Sequence, residues 1–165
     1  MKPSMYEISA AIPGKLIIMP KPSSDWLHED MRFFKEVGIT TIVSLLERSE
    51  ENELGLRDEA TVSEQSGIEF VRFPIPDRGL PNSETFGSLI DDLAAKLSRG
   101  EKVAVHCRAG IGRSGVVVCA VLVRLGYSAD EALNRTSNAR GVQVPDTIEQ
   151  KTYIGAFADK LNNFK

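Results

Sequence analysis

Lys102-Val103-Ala104-Val105-His106-Cys107-Arg108-Ala109-Gly110-Ile111-Gly112-Arg113-Ser114-Gly115-Val116-Val117-Val118 is the stretch whose reading decides the architecture. Lys102 to His106 reads as a short buried strand, and the middle of the stretch as a glycine-rich loop. Gly112 to Leu125 is a nearly all-apolar helix stopped by Gly126. A helix with no polar face belongs in the centre of the molecule.

Upstream, Ser83 to Arg99 places Phe86, Leu89, Ile90, Leu93 and Leu97 on one helical face and ends at Gly100. Ile68 to Phe73 alternates as a strand, Leu54 to Ser66 reads as a helix ending at Gly67, and Ile39 to Leu45 is β-branched and short, hence a buried strand. Trp26 to Val37 carries apolar residues at helical spacing and is closed by Gly38; Lys15 to Met19 and Tyr6 to Ser9 are extended pieces parted by a Pro13-Gly14 turn. Downstream, Ser128 and Glu131 form a capping box for a helix to Asn138, and a last helix runs from Asp146 to Leu161 with Tyr153, Ile154, Phe157 and Leu161 inward. Strands alternating with helices predict an α/β fold, with a central, mostly parallel sheet flanked by helices on both faces, in one domain over residues 1–165.

The chain has 165 residues, 42% hydrophobic and 26% charged, which excludes a disordered or collagen-like chain and a disulfide-stapled miniprotein. A net charge of −3 argues against general binding to nucleic acid or anionic membranes, because such proteins need surplus cations. The longest apolar run, Val116 to Val123, falls far short of the roughly 20 residues that cross a bilayer. The start of the chain lacks the layout of a secretion signal, and two cysteines allow at most one bridge, so a reducing cytoplasmic compartment is expected. Glu47 to Glu53 reads as a solvated acidic run; no metal or cofactor is expected, and the chain is read as a monomer.

Cys107 sits where a strand ends and a helix begins, so unpaired amides and the positive end of the helix dipole favour its thiolate. Gly110, Gly112 and Gly115 let the loop turn its amides inward as a nest for a tetrahedral oxyanion, formed by Arg108, Ala109, Gly110, Ile111 and Gly112. Arg113 can return over the nest and hold two oxygens bidentately. The Ser114 hydroxyl lies near the sulfur and can donate to it as it leaves. In-line attack would give a phosphocysteine that water then hydrolyses. Both steps need a carboxyl group across the cleft, and Asp77, on the proline-bounded loop Pro74 to Pro81, is the best candidate.

His106-Cys107-x5-Arg113-Ser114 resembles the signature of cysteine-dependent protein tyrosine phosphatases, and the size resembles their dual-specificity branch. Pro74 to Ile154 looks closest to the kinase-associated phosphatase group, with Asp77 and Pro81, the signature loop, Arg140-Gly141 and Gln150 in order. The resemblance implies Cys107 as nucleophile, Arg113 as phosphate clamp, Asp77 as general acid and base, Ser114 as donor to the leaving sulfur and His106 as a tuner behind the cysteine. It also implies that Gln150 helps to place the hydrolytic water, and that the partner is a phosphoprotein carrying phosphotyrosine, with phosphoserine and phosphothreonine beside it. No segment resembles the phosphotyrosine-recognition loop of the larger tyrosine-specific enzymes. Ala109 and Ile111 are uncharged where inositol-lipid phosphatases carry lysines, leaving Arg108 as the extra cation of the loop.

Other readings compete. A phosphatase of inositol phosphates or other non-protein esters, a phosphate-binding module without turnover and a sulfurtransferase all accommodate part of the pattern. Cys119 is read as a core residue, with a redox partner as the alternative, His28 as a surface residue, and Arg140 as an anchor for a backbone carbonyl, with a second phosphate as the alternative.

Overall fold

The computed structural model describes residues 2–163, so the outermost ends of the predicted 1–165 domain lie outside the described residues. Its strands are β1 (Tyr6–Glu7), β2 (Lys15–Met19), β3 (Thr41–Ser44), β4 (Glu69–Arg72) and β5 (Lys102–His106). The helices are α1 (Leu27–Glu36), α2 (Arg48–Glu53), α3 (Glu59–Gln65), α4 (Ser83–Ser98), α5 (Gly112–Arg124), α6 (Ala129–Arg140) and α7 (Ile148–Asn162). The five strands form one sheet in the order β1-β2-β5-β3-β4, all parallel except β1, which pairs antiparallel with β2 at the edge.

Alternation along the strands builds two cores, one on each face. Leu16, Ile18, Val43, Val103 and Val105 pack against α4, α5 and the apolar sides of α6 and α7. Ile17, Met19, Ile42 and Ala104 face Leu27, Met31 and Phe34 of α1 and Val62 of α3. Every residue of α5 from Gly112 to Val123 is buried, as its lack of a polar face requires.

Three local readings are corrected. Leu54 to Ser66 is not one helix: Gly55, at φ +70°, lies between α2 and α3, a conformation a helix cannot carry through. Trp26 stands just outside α1 and is exposed, its neighbour Leu27 taking the buried position. At Ser128 only half a capping box forms, because the Glu131 carboxylate pairs with Arg135 at 3.0 Å. Reciprocal boxes open other helices instead, Glu47 with Glu50 and Thr147 with Gln150.

Met19, His106 and Ser44 stand level in the ladder, and Arg72 is level with Ser44, so the parallel strands end together. The segments that follow them, Pro20-Lys21, Cys107-Ile111, Leu45 into α2, and Phe73-Pro81, therefore gather at one edge of the sheet. Ligand sites of open α/β sheets form at this edge.

Candidate active site

Cys107 follows directly on β5, with only a sliver of its surface reaching solvent. The loop after it is shaped by backbone conformation at one glycine and by space at two. Gly110 has φ +74°, and a β-carbon there would run into the carbonyl of Met19. At Gly112 a β-carbon would stand 2.7 Å from Asp146 Oδ2, and at Gly115 it would overlap Val144. The sequence expectation that all three serve loop curling holds for Gly110 alone; the other two let neighbouring segments approach.

Arg140, at the end of α6, donates from Nε to the Gly110 carbonyl and from Nη2 to the Ala109 carbonyl, both at 3.1 Å. In a trans peptide the C=O and N–H point opposite ways, so the amides that follow these carbonyls are turned from Arg140. The guanidinium also lies over the Tyr6 ring, 4.4 Å from its centroid. The anchoring expected of Arg140 is the geometry observed.

Burial alone would push the Cys107 thiol up. The Ser114 hydroxyl and N–H, the Arg113 charge and the Gly110 N–H outweigh it and hold the thiol below the ordinary cysteine range. The Ser114 hydroxyl is itself buried and has no hydrogen-bond partner among the described residues, so it is free to turn toward the sulfur. Behind the cysteine, the fully buried His106 meets Glu59 Oε2 through Nε2 at 2.6 Å and the Cys107 carbonyl through Nδ1 at 3.1 Å. Burial would lower the imidazole's pKa, but the Glu59 carboxylate reverses this and raises it.

Arg113 is 2% exposed. Its Nη1 reaches Glu50 Oε1 at 2.6 Å and the Ile75 carbonyl at 2.9 Å, and its Nη2 reaches Glu50 Oε2 at 2.9 Å. Asp77, exposed on its loop, approaches the same Nη2 at 3.2 Å. Glu50 also pairs with Arg108 at 3.3 Å, and Glu53 does so at 3.5 Å. Burial raises the Glu50 carboxyl's pKa, while Arg113, the Glu47 N–H and Arg108 lower it further, so the net shift is downward.

This overturns the solvated reading of Glu47 to Glu53. The run is α2 with its capping residue, and Glu50 and Glu51 are buried, Glu51 meeting Arg72 at 2.7 Å. Sequence reasoning missed Glu50, the residue that orients Arg113. Its only sequence signal was a carboxylate three residues after Glu47, the spacing of a capping box.

Gln150 is fully buried and ties α7 to the Pro74–Pro81 loop that carries Asp77, its Nε2 donating to the Gly79 carbonyl at 3.2 Å. Its Oε1 accepts from the N–H groups of Asp146 and Thr147, both at 3.2 Å. Cys119 lies in the core with its thiol pushed up to about 12 by burial, although Thr136 acts the other way. His28 is exposed.

Residues 19–127 match the family described as "Polymorphic toxin system, DSP-PTPase phosphatase". The chain belongs to this family of dual-specificity and tyrosine phosphatases. It is 29% identical over 137 residues to cyclin-dependent kinase inhibitor 3 of Rattus norvegicus, covering 82% of this chain and 65% of the relative. The chain thus spans slightly less than two thirds of that relative's length. Protein tyrosine phosphatase type IVA 3 of Mus musculus is 28% identical over 148 residues, covering 88% of this chain and 80% of its own. Among solved structures, kinase-associated phosphatase with its catalytic cysteine replaced by serine superposes with a TM-score of 0.89 at 24% identity, over 98% of this chain and 97% of that one. Tk-PTP in its active form gives 0.76 at 27% identity, over 97% and 99%.

Proposed function

We propose that the chain is a cysteine-dependent phosphomonoester hydrolase that removes phosphate from phosphotyrosine, and from phosphoserine and phosphothreonine, in proteins. The observation that carries this reading is the Cys107 thiol, held toward its anion between the Ser114 hydroxyl and the Arg113 charge, with Asp77 beside that same guanidinium. Cys107 attacks phosphorus in line while Asp77 protonates the departing oxygen, leaving phosphate on sulfur. Arg113 and the loop amides of residues 108–112 hold the equatorial oxygens. Ser114 donates to the sulfur as water releases phosphate, and His106 and Gln150 position the cysteine and the acid loop.

A phosphoprotein is favoured over an inositol phosphate because Arg108, the one extra cation of the loop, is already met by Glu50 and Glu53. Among the described residues no helix is long and apolar enough to cross a membrane. Both cysteines are free, which supports a reducing setting, and we take the chain to act in the cytoplasm as a monomer. Hydrolysis of a small aryl phosphate, with chelator and without added metal, tests the reading. Cys107→Ser should bind substrate without turning it over, and Asp77→Asn should lose roughly 10²-fold or more, most on poor leaving groups. Turnover by the serine variant at the wild-type rate would exclude it.

A further inference from the structure

The resemblance assigns the hydrolytic water to Gln150, yet both ends of that side chain are committed to backbone groups, to Asp146, Thr147 and Gly79. The Asp146 carboxylate beside it is uncommitted: among the described residues no hydrogen-bond donor or cation meets it. The Asp146 backbone is held in place, its N–H donating to Gln150 Oε1 at 3.2 Å. Its Oδ2 rests against Gly112, 2.7 Å from where a β-carbon would stand, so the bare glycine admits a carboxylate to the wall of the phosphate loop. Asp146 also lines an open cleft of about 720 Å³ with Gln143, Val144, Thr147 and Lys151, so solvent reaches its side chain.

A fixed negative charge beside a phosphate nest weakens binding of the substrate dianion. The same carboxylate is useful after the leaving group has gone, when a neutral water must be held facing phosphorus. We propose that Asp146 accepts a hydrogen bond from the water that hydrolyses the phosphocysteine and aims its lone pair at phosphorus. The inference rests on the phosphatase reading and assigns the water to a residue other than Gln150. In the step, water oxygen bonds to phosphorus and the P–S bond breaks, its electron pair returning to Cys107 as thiolate. One water proton passes to the Asp77 carboxylate, inorganic phosphate departs, and Asp146 keeps its charge while holding the second hydrogen.

Rapid-quench kinetics with an aryl phosphate test this on the full chain, comparing wild type, Asp146→Ala, Asp146→Asn and Cys107→Ser. Asp146→Ala should release about one equivalent of phenol per site in a burst, accumulate phosphocysteine, and then turn over roughly 10²-fold more slowly than wild type. Asp146→Asn, which keeps an acceptor but no charge, should fall between the two, and both variants should bind inorganic phosphate at least as tightly as wild type. An unchanged steady-state rate in Asp146→Ala, or a slowed first step without accumulated intermediate, would overturn the inference. An inactive Cys107→Ser in that same experiment would leave the phosphatase reading standing, whereas an active one would remove both.

Discussion

Arg113 is a cation sealed from solvent, and Glu50 makes that arrangement tolerable by bonding both of its terminal nitrogens. Without this partner the guanidinium would be free to turn toward Asp77 or out of the nest, and its buried charge would be less compensated. Replacing Glu50 by Gln should cost about 2 kcal/mol of transition-state stabilisation, roughly 30-fold in kcat/KM on an aryl phosphate, with inorganic phosphate bound more weakly. Equal kinetics in the variant would show that Arg113 is oriented by something else. The Glu50 carboxyl lies below its ordinary value of 4.5, so it contributes stability above that pH and loses it as pH falls through the folded value. Acid unfolding of Glu50→Gln should accordingly be less steep than that of wild type.

At the scale of elements, the loop between β5 and α5 was legible because its chemistry is local. A strand, three glycines, a cysteine and an arginine six positions on define it within residues 102–115. Helix α2 was not legible, because Arg48-Ser49-Glu50-Glu51-Asn52-Glu53 has no apolar stripe. What buries Glu50 and Glu51 is charge pairing with Arg113 and Arg72, distant in the chain, and no periodicity reports such a partner. Gln150 was singled out by resemblance, but its cap and its bond to Gly79 depend on how α7 meets the Asp77 loop. The nest itself hangs on Gly110. Gly110→Ala meets a positive φ and the Met19 carbonyl together, so it should destabilise the fold by more than about 2 kcal/mol in denaturant melts and remove activity. A stable, active alanine variant would mean that the loop has another conformation available.

The whole molecule is a sheet between two helical layers, with α5, buried from Gly112 to Val123, leading from Cys107 into the core. The α/β class, the parallel order and the role of α5 followed from patterning, because alternation and the missing polar face record burial directly. The same core separates the two cysteines. Cys119 ionises near 12 in the folded chain against 9.0 ordinarily, so its contribution is complete below pH 9 and is lost as pH rises toward 12. Denaturant midpoints for wild type and Cys119→Ala should therefore draw closer as pH increases beyond 9. A constant gap across that range would mean that the thiol is not sealed.

The central claim is that one sulfur carries the phosphoryl group between substrate and water. Quenching the protein in acid during turnover of a phosphorus-labelled aryl phosphate, and mapping the label by peptide mass, tests it most directly. The account predicts phosphate on the peptide containing Cys107, more of it in Asp146→Ala and none in Cys107→Ser; label on any other residue, or turnover with no covalent label in either active form, would contradict it.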